Sequence, residues 1–131
     1  MGREELALLE RLDAAIAARL EAYGQADDRF GLVHADIRLA NLLVDVDDGD
    51  VRVIDFDDSG FAWFMYDFAT TVSFMEDHPR VPELRDAWLE GYRSVAPLDA
   101  ADEAELETFV MLRRLLPVSY THLTLPTTPY V

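Results

Sequence analysis

GLVHADIRLANLLVDVDDGDVRVIDFDD, residues 31–58, decides how this chain is read. Two apolar runs, 42–46 and 51–54, flank an Asp-Asp-Gly-Asp connection at 47–50 that suits a hairpin turn. Polar groups stand just outside both runs. His34, Asp36, Arg38 and Asn41 precede the first, and Asp55, Asp57 and Asp58 follow the second. Antiparallel pairing of the runs carries both polar clusters to one end of the hairpin and makes one site of them. From His34 to Asn41 no period is apparent, as expected of a loop held by its surroundings.

The residue types in that site suggest a chemistry. Asn41 and Asp55 offer hard oxygen ligands of the kind Mg²⁺ takes alongside phosphate oxygens and water. Asp36 is a carboxylate placed to accept a proton from an attacking hydroxyl. Arg38 can present a cation to a phosphate, or pair with one of the many acidic residues. A proton acceptor, a metal site and a phosphate cation are the parts that phosphoryl transfer uses. A calcium-loop reading of the aspartate-rich turn fails. Counted from Asp45, glycine falls at the fifth position rather than the sixth, and the twelfth residue is Phe56 rather than glutamate. Asp57 and Asp58 suit a turn or salt bridges better than the metal.

Outward from this stretch the chain reads as mainly helical. In residues 3–23, Leu6, Leu9, Leu12, Ile16, Leu20 and Tyr23 recur at spacings of three and four, and Gly24 suits the position just past the last turn. Leu32 and Val33 lead into His34 as a short apolar run. After a turn at Ser59-Gly60, residues 61–75 carry one charge, Asp67, and a stripe of Phe64, Phe68, Val72 and Met75, which predicts a central buried helix. A carboxylate there needs hydrogen-bond donors. Two further helices are predicted. The first spans 82–95, with Leu84, Trp88, Tyr92 and Val95 on one face; the second spans 100–116 and stops before Pro117. Residues 117–131 contain no Asp, Glu, Lys or Arg, yet hold three of the six prolines and four of the seven threonines. They resemble translated sequencing-adapter ends and are set aside as a non-native or disordered tail, leaving 1–116 as the domain.

Composition narrows the function classes. At 131 residues the chain is long enough for one domain, and half of it is apolar. A formal net charge of −15 argues against nucleic acid as main partner, which would need clustered cations. There is no cysteine, hence no disulfide framework and no thiolate ligand or nucleophile. No apolar run approaches a membrane span and the first residues lack a signal-peptide pattern, so a soluble cytoplasmic protein is the expectation. All eleven basic residues are arginine.

His34-Ala35-Asp36 through Asn41 matches H-x-D-x-x-x-x-N, and Ile54-Asp55-Phe56 follows after a hairpin, with Gly60 and Asp67 downstream. Over residues 6–116 the chain resembles the C-terminal lobe of the aminoglycoside phosphotransferase and choline kinase superfamily, relatives of the protein kinases. The resemblance implies an α+β, mainly helical protein-kinase-like lobe carrying a catalytic-loop hairpin. It implies that Asp36 is the catalytic carboxylate, and that Asn41 and Asp55 hold Mg²⁺ against the phosphates of ATP or GTP. It places Arg38 near the transferred phosphoryl group. His34 would pack near Phe56 and Asp67 would brace the loop, both as structural support. The partners would be a nucleotide and a small-molecule hydroxyl acceptor.

The departures bear on the same reading. A kinase of this kind needs an N-terminal lobe with a phosphate-covering loop and a lysine. The chain has no lysine, no G-x-G-x-x-G, and too few residues before His34, so the expectation is a fragment that lacks the N-terminal lobe and is inactive alone. A non-catalytic, kinase-shaped nucleotide-binding or scaffold module is the alternative. A metal phosphohydrolase is disfavoured, since no adjacent His-Asp pair is present.

Overall fold

The structure is a computed structural model that describes the backbone of residues 2–122 and the side chains of residues 2–116. Its elements run α1 (Arg3–Tyr23), β1 (Phe30–Val33), a 3₁₀ turn (Leu39–Asn41), β2 (Leu42–Val44), β3 (Val51–Val53), β4 (Gly60–Trp63), α2 (Tyr66–Thr71), α3 (Val81–Arg93), α4 (Ala100–Ala104) and α5 (Leu106–His122). This mixed, mainly helical α+β architecture carries two separate two-stranded antiparallel sheets, β1 with β4 and β2 with β3.

The first helix occupies 3–23 as its apolar spacing predicts, and it buries Ile16, Leu20 and Tyr23 near its C-terminal end. Gly24 closes it at φ 82° and ψ −179°, a backbone state that glycine adopts without a Cβ penalty. The hairpin also forms as expected, with Leu42 opposite Val53, Leu43 opposite Arg52 and Val44 opposite Val51. Its strands are shorter than the apolar runs. Asp45 and Asp50 close the connection through an Asp45 N–H to Asp50 carbonyl bond of 2.8 Å.

The predicted single helix over 61–75 is corrected. Gly60–Trp63 is a strand paired with β1 (Phe30 opposite Trp63, Val33 opposite Gly60), and the helix is confined to Tyr66–Thr71. The stripe of Phe64, Phe68, Val72 and Met75 has helical spacing, but the other faces are also largely apolar, so local pattern could not separate strand from helix at the start of the stretch. What decides it is a partner thirty residues away in sequence. The Trp63 indole N–H donates to the Gly24 carbonyl at 2.9 Å and its ring meets Phe30 edge-on, tying β4 to the end of α1.

The core lies where α2 and α1 pack on α5. Leu106, Phe109 and Leu112 of α5 are wholly buried, as are Phe68, Ala69 and Tyr66 of α2 to within one per cent of their surface. Each large side chain so buried contributes roughly 1.5–3 kcal/mol relative to exposure. In α3, Pro82 sits in the first turn, Leu89 is buried, and Trp88 and Tyr92 pack half-buried against the core. Val95, assigned to the face of Trp88 and Tyr92, lies beyond the helix and is exposed.

The predicted helix over 100–116 is two helices. The first is α4, capped by Asp99, which accepts the Asp102 amide at 2.9 Å while Asp102 accepts the Asp99 amide at 2.9 Å. The second, α5, runs through Pro117 to His122 rather than stopping before the proline. A proline inside a helix removes one backbone hydrogen bond and crowds the preceding turn, and here the helix continues past it. The remainder of the tail, 123–131, lies outside the described residues. Among the described residues no helix is long and apolar enough to cross a membrane.

Candidate active site

The loop between β1 and the 3₁₀ turn has no strand to pair with, so its backbone amides need side-chain acceptors. α2 provides them. Asp67 accepts the His34 amide at 3.2 Å and the Ala35 amide at 2.8 Å, and Thr70 Oγ1 accepts the Ile37 amide at 3.0 Å. Ala35 takes φ 71°, a left-handed conformation that costs a side-chain-bearing residue about 1–2 kcal/mol unless its surroundings hold it. The two bonds to one carboxylate hold it. Burial pushes the Asp67 carboxyl up from its ordinary range, and the two amides offset this only in part.

His34 fastens this loop to the end of β3. Its Nδ1 accepts the Asp36 amide at 3.1 Å, which places the ring proton on Nε2, 2.9 Å from the Ile54 carbonyl oxygen. The Ile54 amide donates to the Asn41 carbonyl at 3.0 Å. Ile54 is thus held from both ends, and Asp55 follows it at φ 61°. The Phe56 ring lies 4.8 Å from the imidazole, centroid to centroid. The sequence-distant polar clusters are therefore joined through Ile54 rather than by direct contact of their side chains.

Asn41 is oriented by Asp36. Its Nδ2 donates to the Asp36 carbonyl at 2.8 Å and to Asp36 Oδ2 at 3.1 Å. Oδ1 is left without a protein partner among the described residues, and so is the exposed carboxylate of Asp55. A free amide oxygen and a free carboxylate on adjoining backbone form a donor set suited to a hard divalent cation. Among the described residues no three His, Cys, Asp or Glu side chains converge as a metal site. A cation here would complete its shell from a ligand's oxygens and water. Asp57 and Asp58 are exposed, in a turn closed by the Ser59 amide on the Phe56 carbonyl.

Asp36 is buried and meets two guanidinium groups. Arg38 donates through Nε to Oδ1 at 2.6 Å and through Nη2 to Oδ2 at 3.1 Å; Arg113 Nη2 lies 3.8 Å from Oδ1. Burial raises the Asp36 carboxyl, but the Arg38 bonds and charge, then Arg113 and Asn41, outweigh it and hold the group below its ordinary range. The Asp36 bond and charge raise Arg38, with smaller contributions from Asp55 and Asp58. Of the two roles open to Arg38, the structure displays the pairing with an acid.

Arg113 is the site residue that sequence reasoning missed. Its Nε donates to Ser73 Oγ at 3.0 Å and its Nη1 to Tyr66 Oη at 3.1 Å. The available signal was a pair of cations in the otherwise apolar run FVMLRRLL, but nothing local says what either meets.

The described geometry has close relatives. The sequence profile of the phosphotransferase enzyme family matches residues 2–108. The amicoumacin kinase of Bacillus subtilis (strain 168) is 27% identical over 128 residues, covering 91% of this chain and 37% of that protein. The solved structure of the microcompartment-associated aminopropanol kinase superposes with a TM-score of 0.82 at 50% identity, covering 96% of this chain and 39% of that one. Amicoumacin kinase hAmiN, solved in complex with AMP-PNP, Ca²⁺ and Ami, gives a TM-score of 0.74 at 24% identity, a likeness of fold, over 97% of this chain and 40% of that one. The chain spans about two fifths of the length of the relatives it matches.

Proposed function

The chain belongs to the phosphotransferase enzyme family, and from that membership we propose that it carries the catalytic-loop half of a kinase acting on a small-molecule hydroxyl. The donor in this reading is ATP or GTP, and the acceptor is a small amino alcohol. Support for the acceptor class comes from the 50% identity to a protein described as an aminopropanol kinase. The observation that carries the reading is the placement of Asp36. It is a buried, ionised carboxylate fixed by Asn41, whose own Oδ1 and the neighbouring Asp55 carboxylate are left unclaimed among the described residues.

Asp36 takes the proton of the acceptor hydroxyl as the oxygen bonds to phosphorus and the bond from phosphorus to the nucleotide's leaving oxygen breaks. Asn41 Oδ1 and Asp55 would hold Mg²⁺, which supplies positive charge against the nucleotide phosphates. Arg38, with 40% of its side chain exposed, can leave Asp36 and meet the transferred phosphoryl group. His34, Phe56 and Asp67 keep the loop and the end of β3 in register. Grip on the far side of the nucleotide needs a phosphate-covering lobe with a lysine. None of the residues here supplies one, and we place it in sequence outside them.

The test is Asp36→Asn in the complete protein. The expected result is a fall in kcat of about 10²–10⁴ with nucleotide affinity nearly kept. Undiminished turnover would remove Asp36 from the mechanism. A wild-type protein that binds nucleotide yet consumes none against a panel of hydroxyl acceptors would instead support a scaffold.

A further inference from the structure

Three hydrogen bonds engage the Asp36 carboxylate in the arrangement described above, two of them from Arg38. Oδ1 accepts Arg38 Nε, and Oδ2 accepts Arg38 Nη2 and Asn41 Nδ2. In the proposed reaction Arg38 leaves Asp36 to meet the transferred phosphoryl group. Its departure takes two hydrogen bonds and a full positive charge from a buried carboxylate, which would then rest on Asn41 alone. Arg113 stands on the other side of that carboxylate and is held differently. Two of its donors are fixed by Ser73 and Tyr66, both buried, while its third faces Oδ1 at 3.8 Å. Among the described residues Arg38 has no side-chain hydrogen-bond partner other than Asp36, whereas Arg113 is pinned through groups that Asp36 does not supply.

We propose that Arg113 is a positioning residue that keeps the Asp36 carboxylate oriented when Arg38 leaves it for the phosphoryl group. The inference rests on the phosphotransferase reading above. α5 thereby contributes directly to the site, through a guanidinium pre-set by Tyr66 of α2 and by Ser73 just beyond it. A planar fork suits this task. Two edges bind neutral hydroxyls, and the remaining nitrogen stays aimed at the carboxylate without further ordering. At 3.8 Å Arg113 meets Oδ1 by charge without a hydrogen bond, so it takes up none of that oxygen's lone pairs.

The test is steady-state kinetics of the complete protein carrying Arg113→Met or Arg113→Lys. The Met variant is expected to lose at least about tenfold in kcat, as misplacement of a reacting group does, with the nucleotide KM unchanged. The Lys variant is expected to recover part of the loss, because it restores charge without the fork. Should the Met variant not fold, Tyr66→Phe removes one anchor while keeping every charge, and a smaller loss confined to kcat is expected from it. Undiminished kcat in the Met variant overturns the proposal. So does a loss shared equally by kcat and nucleotide KM with no recovery in the Lys variant, since a merely structural role predicts that pattern. If Asp36→Asn abolishes turnover while Arg113→Met leaves it intact, this inference alone falls. If Asp36→Asn turns over normally, Asp36 leaves the mechanism and this inference falls with it, whereas a wild-type protein that consumes no nucleotide sinks the phosphotransferase reading itself.

Discussion

The Asp67 carboxylate lies under the loop with one oxygen on the His34 amide and the other on the Ala35 amide. An asparagine in its place has one oxygen for those two donors and turns an N–H toward the second. One buried amide is then left unsatisfied, and Asp67→Asn should cost about 1–3 kcal/mol. The pH dependence has a definite sign. Burial raises the folded-state pKa of Asp67 above its unfolded value. The unfolded chain therefore ionises first as pH climbs, and the stability that this group contributes is full below the ordinary aspartate range. It declines as pH rises through the raised value. Asparagine does not titrate. In urea melts across that window, the lead of the wild type over Asp67→Asn should narrow as pH rises, then level off. A constant lead would mean that burial does not govern this carboxylate.

At the scale of elements, the aspartate-rich connection shows what charge is for in this hairpin. Asp45 Oδ1 accepts the Asp47 amide at 2.8 Å and Asp48 Oδ1 accepts the Asp50 amide at 2.8 Å, so these aspartates shape the turn through their own backbone. Gly49 takes φ 73°, and a Cβ built there would meet no atom within 4 Å. Gly49→Ala is thus a purely conformational change, expected to lower stability by about 1–2 kcal/mol, with Gly49→Asn costing less. Thermal melts of the pair check this, and equal melting temperatures for glycine and alanine would deny the strain. The hairpin was legible in sequence because turn chemistry and apolar runs are local. So was α1, whose period repeats over five turns. The core of the site was legible for the same reason, since His34, Asp36, Arg38 and Asn41 lie within eight residues. The pairing of Phe30 with Trp63 was not, because it depends on a distant partner and on a stretch too apolar on its other faces for local pattern to separate strand from helix. Arg113 was illegible for a related reason. A helix period says which face a cation lies on but not that Asp36, seventy-seven positions earlier, is waiting there.

Across the whole molecule, the apolar surface is distributed unevenly. The packed core lies between α1, α2 and α5, whereas the hairpin leaves Leu43, Val44, Val46, Val51, Val53 and Ile54 exposed, with Leu39 and Phe56 beside them. A two-stranded hairpin is marginal in water even with one covered face, and this one is open on both. If the complete protein carries the phosphate-gripping lobe proposed above, that exposed apolar surface is available to meet it. The isolated 131-residue chain then has two opposing tendencies. Its apolar patch favours association, and its formal charge of −15 opposes it. Charge repulsion is screened over a Debye length of about 30 Å at 0.01 M salt and about 8 Å at 0.15 M, while apolar contact is not weakened by salt. The isolated chain should therefore bind a hydrophobic dye, give no kinase turnover, and associate more as ionic strength rises. The complete protein should bind far less dye and stay dispersed under the same conditions. Sedimentation and dye fluorescence of both proteins across a salt series provide the measurement. An isolated chain that ignores the dye and remains monomeric at high salt would show that the hairpin face needs no cover, and would sink the assignment of that face to the missing half of the site.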